Sequence, residues 1–149
     1  MKKQNDALEL EQDITSALLE AYEFRNARDK ETRRIKIVRN GKILFSFEIM
    51  ALDGDQWQKC SRQNTRNRGK RTEELNNDRF MSQVIYEATV DEDKERVWKN
   101  KEIWAKMNVA SGVDVIDKLL IPGERNAIVE AIQKLSGYDD SDVENVILE

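Results

Sequence analysis

The chain changes its apolar period twice, and each change marks a new kind of element. In residues 7 to 25, Ala7, Leu10, Ile14, Ala17, Leu18, Ala21 and Tyr22 recur at steps of three and four with acidic and basic residues between them. That spacing predicts an N-terminal amphipathic helix. Residues 26 to 33, NARDKETR, carry no stripe and are polar except for Ala27, so they read as a fraying end or a linker. The helix is then detachable, and periodicity leaves open whether it docks on its own domain, on a second copy or on a client.

The period next drops to two. Ile35, Ile37, Ile43, Phe45, Phe47 and Ile49 alternate with Lys36, Lys42, Ser46 and Glu48 on either side of Asn40-Gly41. Asn-Gly suits the two positive φ angles of a type I′ turn, so an antiparallel β-hairpin is expected near residues 34–50. Two strands alone are marginal, and the apolar face is expected to lie on helices.

Helical spacing then returns. Leu52, Trp57 and Cys60 suggest a helix capped by Asp53 or Asp55 that runs into the basic stretch 59–71. Glu73 and Glu74 read as opening a helix with Leu75, Phe80, Val84, Ile85 and Ala88 on its buried face. Asp91 to Arg96 reads as a charged connection, and Val97, Trp98, Ile103, Trp104 and Met107 as one short apolar helix. In residues 111–138, Ser111 with Asp114 resembles a capping box, Val113 to Leu120 supply a stripe, and Pro122 ends the first helix. A second helix is expected from near Glu124, with Ile128, Ala131, Ile132 and Leu135 on one face and Gly137 as a left-handed cap. These two stripes are expected to bury each other. The predicted class is α+β, mainly α: a compact helical domain with one hairpin and a preceding amphipathic helix. Three segments follow, with a helix and linker at 1–33, the domain at 34–138, and an acidic tail at 139–149.

Composition supports this and narrows the chemistry. The 149 residues are 39% hydrophobic and 36% charged, which suits a modest core under a densely charged surface. No apolar run approaches the roughly 20 residues that span a bilayer, so a cytoplasmic protein away from membranes is expected. The single cysteine, Cys60, leaves no disulfide to form within the chain. There is no histidine, which removes the commonest general base and most zinc sites. Cys60 has basic neighbours Lys59 and Arg62 that would lower its pKa, yet packing is the better reading without an imidazole. The acidic clusters lack the glycine and terminal glutamate of a calcium loop, and no glycine loop cradles a phosphate. Neither catalysis nor a cofactor or metal is expected.

Charge is uneven along the chain. Residues 1–75 hold 16 Lys/Arg against 13 Asp/Glu, and residues 76–149 hold 9 against 16, an asymmetry that can steer partners or self-association. Within the first part, Arg66, Arg68, Lys70 and Arg71 are candidates for an acidic client or the acidic half of another copy. The same residues support a runner-up reading, a nucleic-acid-binding accessory or regulatory protein of a mobile element; no aromatic within the stretch stacks a base. Trp98, Met107 and the tail residues Val146, Ile147 and Leu148 are candidates for an apolar surface that a client covers.

The order LLIPGERNAIVEAIQKLSGYDD resembles the C-terminal signature of the tail assembly chaperones of tailed bacteriophages and of prophage-like elements in Gram-positive bacteria. The paired Leu119-Leu120, Ile121, the turn Gly123-Glu124, the helix Ile128 to Leu135, Ser136-Gly137 and the acidic Tyr138-Asp139-Asp140 carry the resemblance. FEIMALDGDQW stands where the family has an apolar strand leading into a helix start, and FMSQVIYEATVDED where it has a helix before an Ala-Thr-Val segment. The resemblance implies a non-catalytic chaperone of the host cytoplasm that binds the tape measure protein, with tail tube subunits as a second client and a homo-oligomer as an open alternative.

Overall fold

A computed structural model describes residues 13–138. The tail candidates Val146, Ile147 and Leu148, and the first part of the predicted N-terminal helix, lie outside the described residues. The class is α+β, mainly α. Helix α1 (Ile14–Asp29) is followed by β1 (Thr32–Arg39), β2 (Lys42–Met50), α2 (Gly54–Gln63), the short strands β3 (Thr65–Arg66) and β4 (Glu74–Leu75), and α3 (Asn77–Ala88). Then come α4 (Asp91–Asp93) with a π-helical turn (Lys94–Trp98), α5 (Lys101–Met107), α6 (Gly112–Leu119) and α7 (Pro122–Leu135).

α3 is the centre of the fold. Val84, Ile85 and Ala88 are fully buried, and α6, α7, α2 and β2 all pack on this helix. The stripes of α6 and α7 therefore bury chiefly against α3 rather than against each other, because two short helices joined at Pro122 can both reach a third that runs between them. Charge fixes the same trio. Arg79 of α3 donates to Asp114 (2.7 Å) and to Asp117 of α6, while Arg125 of α7, only 7% exposed, lies 3.6 Å from Asp117 and donates to Ser82 Oγ. The partners hold Asp114 below the usual carboxylate range, with Arg79 the largest cause.

The hairpin forms as expected, with Asn40 at φ 54° and Gly41 at φ 72°. Its register slips between Ile37 and Val38, so Ile37 faces Phe45 while Val38 faces Ile43, and Leu44 is the extra residue. The bulge reverses the inward-outward alternation. Phe45, Phe47 and Ile49 point to the core, but Ile43 is turned out and 57% exposed, which corrects its expected place on the buried face. On β1, which has no extra residue, Arg39 stays on the inward face two positions after Ile37, where it pairs with Glu124 at 2.7 Å and donates to the Leu119 carbonyl. After α3, Thr89 bridges Ile49 and the Val90 N–H donates to the Glu48 carbonyl, so the helix end is stitched to β2.

Four expected boundaries move. α1 runs on to Asp29 and only Lys30-Glu31 separate it from β1, so the first half of NARDKETR is helix and its last two residues open the strand. Glu74-Leu75 is a strand paired with Thr65-Arg66, Leu75 is 40% exposed, and α3 opens at Asn77 with Asn76 capping Arg79 N. The supposed charged connection 91–96 is helical, and Asp93 is buried there, accepting from the Glu48 N–H at 2.7 Å and from Arg96. The apolar stretch 97–107 is two elements, broken at Lys99-Asn100, where the Lys99 N–H reaches back five residues to Lys94 O.

Candidate interaction surface

α1 begins cleanly, with the Asp13 carboxylate accepting from the Ser16 N–H at 3.1 Å and from its hydroxyl at 2.6 Å. None of its described residues is buried. Ile14, Leu18 and Tyr22 follow one another at four-residue steps and are 60%, 62% and 63% exposed. Ala17 and Ala21 fill the same face, with Phe24 at its margin. Its C-terminal end meets the body, where Arg28 donates to the Lys134 carbonyl at 3.1 Å and Phe24 and Arg25 face Leu52 and Tyr138 across a shallow cleft. Among the described residues, the side chains from Ile14 to Tyr22 are not buried against the chain's own domain. Leu19 and Phe24 are exposed as well and lie off that line, so the described part of α1 is apolar on more than one side rather than amphipathic as expected, and an exposed apolar surface of this kind is unpartnered.

A second apolar patch sits on the hairpin, where the bulge gathers Val38, Ile43 and Leu44 on the outside. It was not legible as a patch, because strict alternation assigns Ile43 to the core. Between the free edge of β1 and helix α7 runs a groove of about 370 Å³, lined by residues 33–38 with Glu124, Ala127, Ile128 and Ala131.

The basic candidates stand together at the tip of the small β3–β4 hairpin rather than on a helix. Asn67 and Gly69 take positive φ, which bends residues 67–72 into a tight turn. Arg66 pairs with Glu74 at 3.3 Å across the two strands, and Arg68, Lys70 and Arg71 are exposed beyond it. Glu73 and Glu74 lie close by in the chain, so the positive tip is small.

Two apolar candidates face inward. Trp98 is fully buried, its ring edge-on to Phe47 at 5.1 Å between centroids and its Nε1–H donating to Thr89 Oγ1 at 2.9 Å. In this fold it is core and presents no surface to a client. Met107 is half-buried against the same core. Cys60 is buried as well, and burial pushes its thiol up to about 11 despite Lys59, so it is a packed thiol and not a poised thiolate.

The family model of the phage XkdN-like tail assembly chaperone proteins matches residues 15–149. This chain belongs to that family. The chaperone is also similar to the crystal structure of the protein yqbn, at 19% identity over 73% of this chain and 88% of that one, with a TM-score of 0.47. No curated protein matches it significantly. Membership means that it is a tail assembly chaperone, a protein that acts on phage tail proteins. Among the described residues, no helix is long and apolar enough to cross a membrane.

Proposed function

We propose that this chaperone binds the tape measure protein in the host cytoplasm and keeps it soluble until the tail polymerises, with tail tube subunits as a second client. The observation that carries the reading is the bare apolar face of α1, from Ile14 through Leu18 to Tyr22. A long helical client has an apolar stripe that water disfavours, and helix-on-helix contact covers both stripes reversibly. Residues 1–33 act in this reading as a docking arm, residues 34–138 as the rigid body that carries it. Arg66, Arg68, Lys70 and Arg71 add attraction for acidic stretches of the client, and the exposed part of the half-buried Met107 adds apolar contact.

The test is co-expression of the tagged full chain with the neighbouring tail genes, followed by a pull-down at low and moderate salt. The wild-type chain should bring down a long helical tape measure protein that is insoluble alone. Leu18→Glu with Tyr22→Glu should cut recovery more than tenfold without unfolding the body, and charge reversal of the four basic residues should weaken capture mainly at low salt. Absence of every tail component from the wild-type pull-down would end the reading. Nucleic acid as the sole captured species, lost steeply with salt, would replace it with a nucleic-acid-binding role.

A further inference from the structure

The fold treats the two edges of its long hairpin differently. On β2, the Glu48 C=O accepts from the Val90 N–H, the Glu48 N–H donates to the Asp93 carboxylate at 2.7 Å, and the Ser46 C=O accepts from Arg96 at 2.7 Å. Those backbone groups point away from β1. Residues that face each other across an antiparallel ladder alternate between pairs that exchange both hydrogen bonds and pairs that exchange none. Glu48 and Ser46 face Arg34 and Lys36, so both pairs are of the second kind, and the N–H and C=O of Arg34 and Lys36 turn outward from the hairpin. Among the described residues, no backbone hydrogen bond reaches them. The edge of β2 is covered, and that of β1 is open.

The groove beside that edge has an apolar floor and a basic rim. Ile35 and Ile37 lie on the inner side of β1, and α7 lends Ala127, Ile128 and Ala131. Arg34 and Lys36 are exposed on the outer side, and Arg33 is exposed at the strand's start. Arg34 is paired with Glu48 and Arg39 with Glu124, whereas Arg33 and Lys36 have no ion-pair partner among the described residues. We propose that this edge binds an extended segment of a partner protein in which acidic and small apolar residues alternate, added to the hairpin as a third strand. The site is separate from the face of α1 and does not rest on which client that helix binds.

Side chains of a strand point alternately to its two faces, and that alternation sets the partner's pattern. On the inner face of an added strand they fall on Ala127, Ile128 and Ala131, a floor whose two alanines leave room for small apolar groups. On the outer face they run beside Arg34 and Lys36, where carboxylates meet unneutralised positive charge. Backbone bonds to Arg34 and Lys36 supply affinity for any extended chain, and the alternation supplies the selectivity. A second copy of this chain suits the edge poorly. Two β1 edges laid together bring Arg33, Arg34 and Lys36 against the same cations, and like charges facing each other across strands destabilise the pairing. The basic rim thus guards the edge against self-association and turns into an attraction for an acidic strand.

The test is residue-resolved amide hydrogen exchange on the full chain at low salt, with a capped peptide of alternating glutamate and valine as the probe. A peptide of the same composition with its glutamates and valines in two blocks is the control. Without peptide, the Arg34 and Lys36 amides should exchange fast. With the alternating peptide both should slow at least tenfold, while Ile35 and Ile37, whose amides already face β2, and the amides of α3 keep their rates. Arg33→Glu with Lys36→Glu should weaken the peptide's binding at least tenfold. Lys36→Pro removes an edge N–H and should abolish the slowing at Arg34 while α3 stays protected. An equal response to the alternating and the blocked peptide overturns the proposal, because charge alone then accounts for binding. Unslowed exchange at Arg34 and Lys36 in millimolar alternating peptide overturns it too, and so does slow exchange there without peptide, because the edge is then already covered.

Discussion

Leu18 and Ile132 occupy equivalent places in the apolar pattern of their helices, yet the fold gives them opposite surroundings. Ile132 is fully buried in the core between α7 and α3, and Leu18 is 62% exposed on α1. Truncating Ile132 to Ala removes buried methyl groups and leaves a cavity, which costs about 2–5 kcal/mol. Fully burying a leucine side chain contributes about 1.5–3 kcal/mol, and little more than a third of Leu18 is covered, so Leu18→Ala should cost at most about 1 kcal/mol. Urea unfolding followed by tryptophan fluorescence measures both, since Trp98 sits in the core and loses its environment on global unfolding. A loss above about 1.5 kcal/mol for Leu18→Ala would mean that α1 folds back on the body in solution, and the bare face would no longer support client capture.

Gly112→Ala should destabilise by about 1–3 kcal/mol, because a Cβ there would stand 2.5 Å from Tyr86 Cε1 and 3.0 Å from the Trp98 carbonyl oxygen, and the backbone atom has no way to swing aside; a thermal melt within a degree of wild type would refute the packing. Acid should weaken the fold through three carboxylates. Arg39 holds Glu124 down and Arg79 holds Asp114 down; burial pushes Asp93 up, but the Glu48 N–H and Arg96 outweigh it. A folded pKa below the unfolded value means stability that is full above about pH 4.5 and is lost as pH falls through the folded values. Glu124→Gln should therefore flatten the stability profile below about pH 4.5 relative to wild type, and an unchanged slope would show that Arg39 and Glu124 are uncoupled in solution.

Much of the architecture is written in local chemistry. Asn40-Gly41 dictates the hairpin turn, Pro122 the break between α6 and α7, and Ser111, Asp53 and Gly137 the helix ends, because each acts through backbone torsions or bonds within about four residues. The helical periods of α3, α6 and α7 and the missing histidine were equally legible, and so was the family order around residues 119–138.

What only the tertiary structure decided depends on partners far apart in sequence. The period of α1 is that of a core helix, but nothing in a repeat of three and four says whether a core is there to receive it. The bulge at Leu44 reverses a strand's faces without leaving any trace in composition. The basic run reads as a helix face until two positive φ angles and the pairing of Arg66 with Glu74 fold it into a turn. Trp98 is as apolar as a client contact needs to be, and its hydrogen bond to Thr89 makes it core instead. Arg79 and Arg125 carry no signal of their own in the sequence and become the clamp between three helices, since their acidic partners lie on elements that the sequence cannot place beside them.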